Sequence, residues 1–307
     1  MHWKELRYCL HLLIFDTNIG KEIFISIFNY PPKSKTFQPP TIPRLINTSY
    51  DRHLNTSKDN NQKMTSSVSK PFVSRQTQNR LLKDVRSILK HPLTEHGIHY
   101  AHDDENCMRG YALIIGPEDS LYADGIYLFV FKFPPDYPYK PPRLEFATGD
   151  GKTRFNPNLY RNGKVCLSVL NTWKGEQWTS CQTIRSVLLT LVTLFHNKPL
   201  LNEPGVKETH KSFGPYNDII RYRNYKTAIL GMINQSRLPD IFAGFFPIIL
   251  KHMKKAGPGI LTRLKELAKN EDNDGPRAAG IYNMNDKINY LKLHGKLLLA
   301  IANLTKN

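Results

Sequence analysis

An α+β fold follows from three features of the sequence. One amphipathic helical pattern opens the patterned region, a group of short strand-like runs follows with turn residues between them, and helical periodicity then resumes. A helix leading an antiparallel meander is the α+β arrangement.

Between residues 75 and 90, Leu81, Leu82, Val85, Ile88 and Leu89 recur at helical spacing with Lys83, Asp84, Arg86 and Ser87 among them, and Pro92 closes the helix. Strand-like runs come next at residues 111–115, 126–133 and 144–147. Gly116-Pro117, Asp124-Gly125 and the proline-rich stretch from Pro134 to Pro142 separate them. Further on, Ile184, Val187, Leu188, Leu191, Val192 and Phe195 mark a helix that Ser180 can cap. A further helix spans residues 216–234 and ends near Gly231.

Three regions emerge: an N-terminal extension and linker over 1–70, a central domain over 71–235 and a C-terminal extension over 236–307. From Tyr30 to about Lys70 the composition turns to Pro, Ser, Thr, Asn and Lys, too poor in large apolar residues to fold alone. The extension from Pro239 reads as helical throughout. It comprises residues 241–253 interrupted by Pro247, residues 261–268, and a last helix with Ile288, Leu291, Leu298 and Ile301 on one face. A break over residues 271–276 precedes that last helix.

The 307 residues carry a net charge of +17, which raises nucleic acid or an anionic membrane as a partner. The charge is uneven. Residues 1–70 hold 10 Lys/Arg against 5 Asp/Glu, residues 71–205 hold 16 against 13, and the remainder 17 against 8. With the central region nearly balanced and no aromatic-basic interleaving in it, no specific nucleic-acid binding is expected. The apolar runs within residues 1–30 fall short of the 18 or so residues a membrane span needs. Four cysteines without a C-x-x-C pair argue against a disulfide framework or a zinc site and for a reducing compartment, cytoplasm or nucleus. No metal is assigned.

The chemistry centres on Phe155 to Leu170, FNPNLYRNGKVCLSVL, where Cys166 follows Asn158 by eight residues in a turn-rich loop. A cysteine between Val165 and Leu167 is ordinarily a small buried hydrophobe. Its surroundings reverse that reading. Upstream lies Phe133-Pro-Pro-Asp-Tyr-Pro-Tyr-Lys-Pro-Pro142, and downstream come Trp178 and the helix. This order, over residues 72–235, resembles a ubiquitin-conjugating (E2) enzyme, with its FPxxYPxxPP segment, its H-P-N tripeptide, and its acceptor cysteine eight residues after that asparagine. Asn156 stands where most such enzymes have histidine. Together with the run from Tyr160 to Lys164 and Asn202-Glu-Pro-Gly205, this looks like a subgroup of large E2s.

The resemblance implies an E2 (UBC) fold with a four-stranded antiparallel meander. It also implies that ubiquitin or a ubiquitin-like modifier passes from an activating enzyme (E1) to Cys166 as a thioester, then to a lysine of a protein substrate, alone or with a ligase (E3). A thiolate is nucleophilic near neutral pH, and its thioester stays labile to amines. ATP is consumed by the E1, so no cofactor is expected here. Asn158 is the candidate for stabilising the oxyanion or ordering the loop, Asn156 for ordering the loop, and Glu203 for a gate through which the lysine arrives. The competing reading is a catalytically inactive E2-like module that binds ubiquitin or E3 partners.

Overall fold

A computed structural model of the chain describes residues 73–235 and 238–306. The N-terminal extension over 1–70 lies outside them. Helix α1, Arg75–Lys90, begins where the Ser74 hydroxyl accepts the Thr77 backbone N–H at 3.1 Å. Strands β1 (Ile98–His102), β2 (Arg109–Ile115), β3 (Ile126–Lys132) and β4 (Arg143–Phe146) form one antiparallel sheet in the order β1-β2-β3-β4. Strand β1, whose His99, Tyr100 and His102 give no apolar alternation, has no counterpart among the strand-like runs of the sequence.

Helix α2, Ile184–Val192, is capped by Thr183 rather than Ser180. Its hydroxyl accepts the Ser186 N–H while the Ser186 hydroxyl accepts the Thr183 N–H, a reciprocal capping box that Ser180, four residues ahead of the first helical residue, cannot make. Helix α3, Phe213–Arg223, continues through a π-helical stretch, Asn224–Ile229, to a last turn, Leu230–Ile233. Among the described residues no helix is long and apolar enough to cross a membrane.

The sheet sorts its side chains onto two faces by the two-residue period of a strand. Tyr127, Phe129 and Phe131 of β3 join Leu81 and Val85 of α1 and Val187, Leu188 and Leu191 of α2 in one core. Ile126, Leu128 and Val130 point the other way, with Leu113 of β2, into a second core. The C-terminal extension completes that second core. Helix α4, Phe246–Lys269, supplies Ile249, Met253, Ile260 and Leu264, and helix α5, Tyr290–Lys306, supplies Leu293, Leu297 and Ile301.

Three features of the extension depart from the expectation. Residues 246–269 make one helix, because Pro247 falls in its first turn, where proline lacks nothing the helix needs. The helices are interrupted by a hairpin, β5 (Gly275–Ala279) paired with β6 (Met284–Ile288). The extension is thus helical but not purely so. The apolar face of α5 is also displaced from the predicted one. Tyr290, Leu293, Leu297 and Ile301 are buried at steps of three and four, whereas Leu291 and Leu298 are 72% and 47% exposed.

His252 on α4 donates or accepts a 2.9 Å bond with Asp124, and Arg263 pairs with the same carboxylate, pinning α4 to the turn before β3. Burial, with His252 beside it, lowers the His99 imidazole to about 4. A histidine kept neutral in the fold but charging near 6.5 when unfolded adds its stability above that pH and loses it as pH falls towards 4. The melting temperature is therefore expected to fall across that window, and His99→Gln, which cannot titrate, to flatten the slope. Equal slopes in the two proteins would remove His99 as a source of acid sensitivity.

Candidate active site

Cys166 sits at the end of a short bridged segment, since Leu159 pairs with Val165 and Asn156 with Leu159 across a tight loop. The Cys166 N–H donates to the Asn158 carbonyl at 2.9 Å. In return the Asn158 side-chain amide, through Nδ2, donates to the Cys166 carbonyl at 2.8 Å. Two bonds of opposite sense between the same residues fix the cysteine backbone relative to the asparagine. Asn158 is buried, and its Oδ1 has no hydrogen-bond partner among the described residues.

Asn156 is fully buried and fully used. Its Nδ2 donates to the Leu194 carbonyl at 2.9 Å, while its Oδ1 accepts the Asn158 N–H at 2.9 Å and the Asn202 side-chain amide at 3.3 Å. An amide with donors and an acceptor thus ties the loop before Cys166 to the segment after α2, a set of bonds open to asparagine at this position. His196 extends the network, its Nε2 lying 3.2 Å from Asn202 Oδ1.

After the cysteine, Ser168–Leu170 forms a 3-10 turn, and Asn171 closes it in the left-handed conformation at φ 57°. Thr172 Oγ1 accepts the Leu167 N–H at 2.9 Å, and Asn171 Oδ1 accepts the Trp178 N–H at 2.8 Å. Trp178 then reaches across to the proline-rich segment, donating from Nε1 to the Pro138 carbonyl at 2.7 Å. That segment is held in turn by α1. Thr77 donates to the Pro135 and Tyr137 carbonyls, and the Tyr137 hydroxyl donates to the buried Asp84. The motifs read from the sequence therefore converge on one side of the sheet.

Cys166 is 2% exposed. The other described cysteines are Cys107, whose thiol burial pushes up, and the exposed Cys181; none of the three is in a disulfide. Neither has the asparagine partnership of Cys166.

Glu203 lies next to Asn202 and accepts a short hydrogen bond from the hydroxyl of Tyr282, in the turn between β5 and β6. Arg154, two residues before Asn156, is clamped between two rings, 3.8 Å from the centroid of Tyr160 and 4.3 Å from that of Tyr282. Its Nη2 donates to the Pro157 carbonyl at 2.6 Å, inside the N-P-N tripeptide. Reading the sequence locally misses both Arg154 and Tyr282, because Tyr282 is 128 positions from Arg154 and belongs to a hairpin that the charge-rich break at residues 271–276 conceals.

Residues 80–220 match the family model described as ubiquitin-conjugating enzyme. They form a ubiquitin-conjugating enzyme domain. A ubiquitin-conjugating enzyme E2 Z of Danio rerio is 40% identical over 189 residues, covering 61% of this chain and 54% of that protein. The Homo sapiens protein of the same name is 43% identical over 157 residues, 50% of this chain and 44% of its own length. A dual E2 ubiquitin-conjugating enzyme/E3 ubiquitin-protein ligase of Homo sapiens is 37% identical over 166 residues, 50% of this chain and 3% of that protein. The chain spans about half the length of the E2 Z relatives. The family expected from the motifs is the family found, and the α+β sheet with its flanking helices is the fold expected of it.

The Trp178 bond gives a direct test of how the site is braced. Trp178→Phe keeps most of the ring but leaves the buried Pro138 carbonyl unpaired, and should cost about 1–3 kcal/mol in urea unfolding. An unchanged unfolding midpoint would show that the segment from Phe133 to Pro142 stands without it.

Proposed function

We propose that the protein is an active E2 enzyme that accepts ubiquitin or a ubiquitin-like modifier from an E1 on Cys166 and transfers it to a lysine amine, alone or with an E3. The observation that carries this reading is the reciprocal pair of hydrogen bonds between Asn158 and Cys166 inside the ubiquitin-conjugating enzyme domain.

In loading, the Cys166 thiolate attacks the modifier's thioester carbonyl on the E1, and the E1 thiolate leaves. In discharge, an amine attacks the new thioester, the nitrogen loses a proton, and Cys166 leaves as thiolate. ATP is spent by the E1, and the protein itself needs no cofactor. With one Nδ2 hydrogen on the Cys166 carbonyl, Asn158 first of all orders the loop, and its second amide hydrogen remains to meet the developing oxyanion. Asn156 holds the same loop through Leu194 and Asn202. Glu203 borders the route of the incoming lysine. A reducing compartment, cytoplasm or nucleus, suits a carrier thiol.

The inactive-module alternative finds its support in the burial of Cys166. Incubation with E1, ATP and a panel of modifiers separates the two readings. The active enzyme gives an adduct cleaved by reductant, Cys166→Ala gives none, and Cys166→Ser gives a reductant-resistant ester. No adduct with any modifier would sustain the alternative.

For Asn158→Ala, discharge of preformed thioester to free lysine should slow by roughly 10- to 1,000-fold, the magnitude for a lost oxyanion donor. Loading should suffer less, because the defect falls on the amine-attack transition state. Equal discharge rates would remove Asn158 from the mechanism.

A further inference from the structure

The C-terminal hairpin meets the segment before the cysteine loop through Met284, whose sulfur accepts the Arg154 N–H at 3.2 Å, and through its turn, which carries a side chain suited to act on chemistry. Tyr282 contacts both Arg154, beside the N-P-N tripeptide, and Glu203, in the segment after α2. Its ring lies over Arg154, which grips the Pro157 carbonyl between Asn156 and Asn158. Its hydroxyl is bonded to Glu203, next to the Asn202 amide that meets Asn156.

The turn itself is braced from several sides. Arg161 donates to the Tyr282 and Asn283 carbonyls, and Tyr216 packs edge-on against the Tyr282 ring at 5.8 Å. Strand β6 is anchored by Asp286, which pairs with Arg223, and Arg223 also binds Asp150 at 2.9 Å. Strand β5 is anchored by Arg277, 3.2 Å from Asp218. A side chain delivered on so restrained a support cannot wander, and its partners are held with it.

We infer that Tyr282 is a positioning residue for acceptor transfer: from the C-terminal extension it fixes the Glu203 carboxylate at the lysine gate and, through Arg154, the loop bearing Asn158. The inference rests on the proposed E2 activity. Burial, then the bond to Glu203, pushes the Tyr282 phenol well above its ordinary range, so the hydroxyl remains a donor at neutral pH. The carboxylate it holds is then directed by a fixed donor rather than by water, and the extension becomes part of the catalytic unit as well as cover for the sheet.

The test is single-turnover discharge of preformed thioester to lysine, over a range of lysine concentrations, for wild type, Tyr282→Phe, Tyr282→Ala, Glu203→Gln and the Tyr282→Phe/Glu203→Gln double variant. Tyr282→Phe keeps the ring over Arg154 and removes only the hydroxyl. At saturating lysine it should slow discharge by at least about fivefold, since small misplacements near a reacting centre are costly, with a smaller effect on loading by E1. Tyr282→Ala, which also releases Arg154, should be slower still, and Phe at this position should recover part of that loss. In the double variant the two effects should not add, because the hydroxyl acts through the carboxylate.

Wild-type discharge by Tyr282→Phe, or full additivity with Glu203→Gln, would overturn the inference. So would a loss confined to the melting temperature. Failure of the wild-type chain to form any Cys166 adduct is a different result and strikes at the proposed function itself.

Discussion

Strand β3 is apolar along both of its faces, and a sheet cannot leave such a strand against water on either side. Tyr127, Phe129 and Phe131 take α1, α2 and the cysteine loop as their cover, while Ile126, Leu128 and Val130 enter a second core built from the π-helical stretch (Tyr225, Ile229), Met232 and Ile233, and from Phe242, Phe245, α4 and α5 of the extension. Burying one such aliphatic side chain is worth about 1.5–3 kcal/mol, so the three on the second face together contribute roughly 4.5–9 kcal/mol before the entropy cost of ordering them. The C-terminal extension is joined to the central domain through this shared second core. The hairpin between its helices is carried to the active-site side, where Ala279 and Met284 enter the first core.

On that scaffold the site is an exercise in backbone control. Asn158 holds Cys166 at both its N–H and its carbonyl, Asn156 holds Asn158 and reaches Leu194 and Asn202, and Trp178 ties the far side of the loop to the Pro138 carbonyl. None of these groups is a general base for the thiol. The arrangement suits the proposed carrier role, in which the nucleophile is placed and shielded rather than deprotonated by a neighbour. Arg154 and Tyr282 extend the same logic outward, coupling the loop to a segment more than a hundred residues away in the chain.

The parts of this picture that follow local rules were legible in the sequence. Helix α1, strands β2 to β4 and the Cys166–Asn158 spacing were all readable from periodicity, turn residues and motif order. The hidden parts depend on tertiary contacts. Strand β1 has histidines at positions where an isolated strand would show alternation, and it is a strand because it pairs with β2. The Ser180 cap yielded to the Thr183–Ser186 box, and the buried face of α5 was one that Leu291 and Leu298 obscured. The sequence also holds a signal for that second core: six consecutive apolar residues, Ile126 to Phe131, require cover on both faces of the sheet.

The most direct measurement is to charge the full chain with modifier, digest it at low pH without reductant so that thioesters survive, and locate the adduct by tandem mass spectrometry. The account predicts the modifier's C-terminal remnant on the peptide containing Cys166, and on no other cysteine. A remnant on Cys107, Cys181 or Cys9 would contradict it.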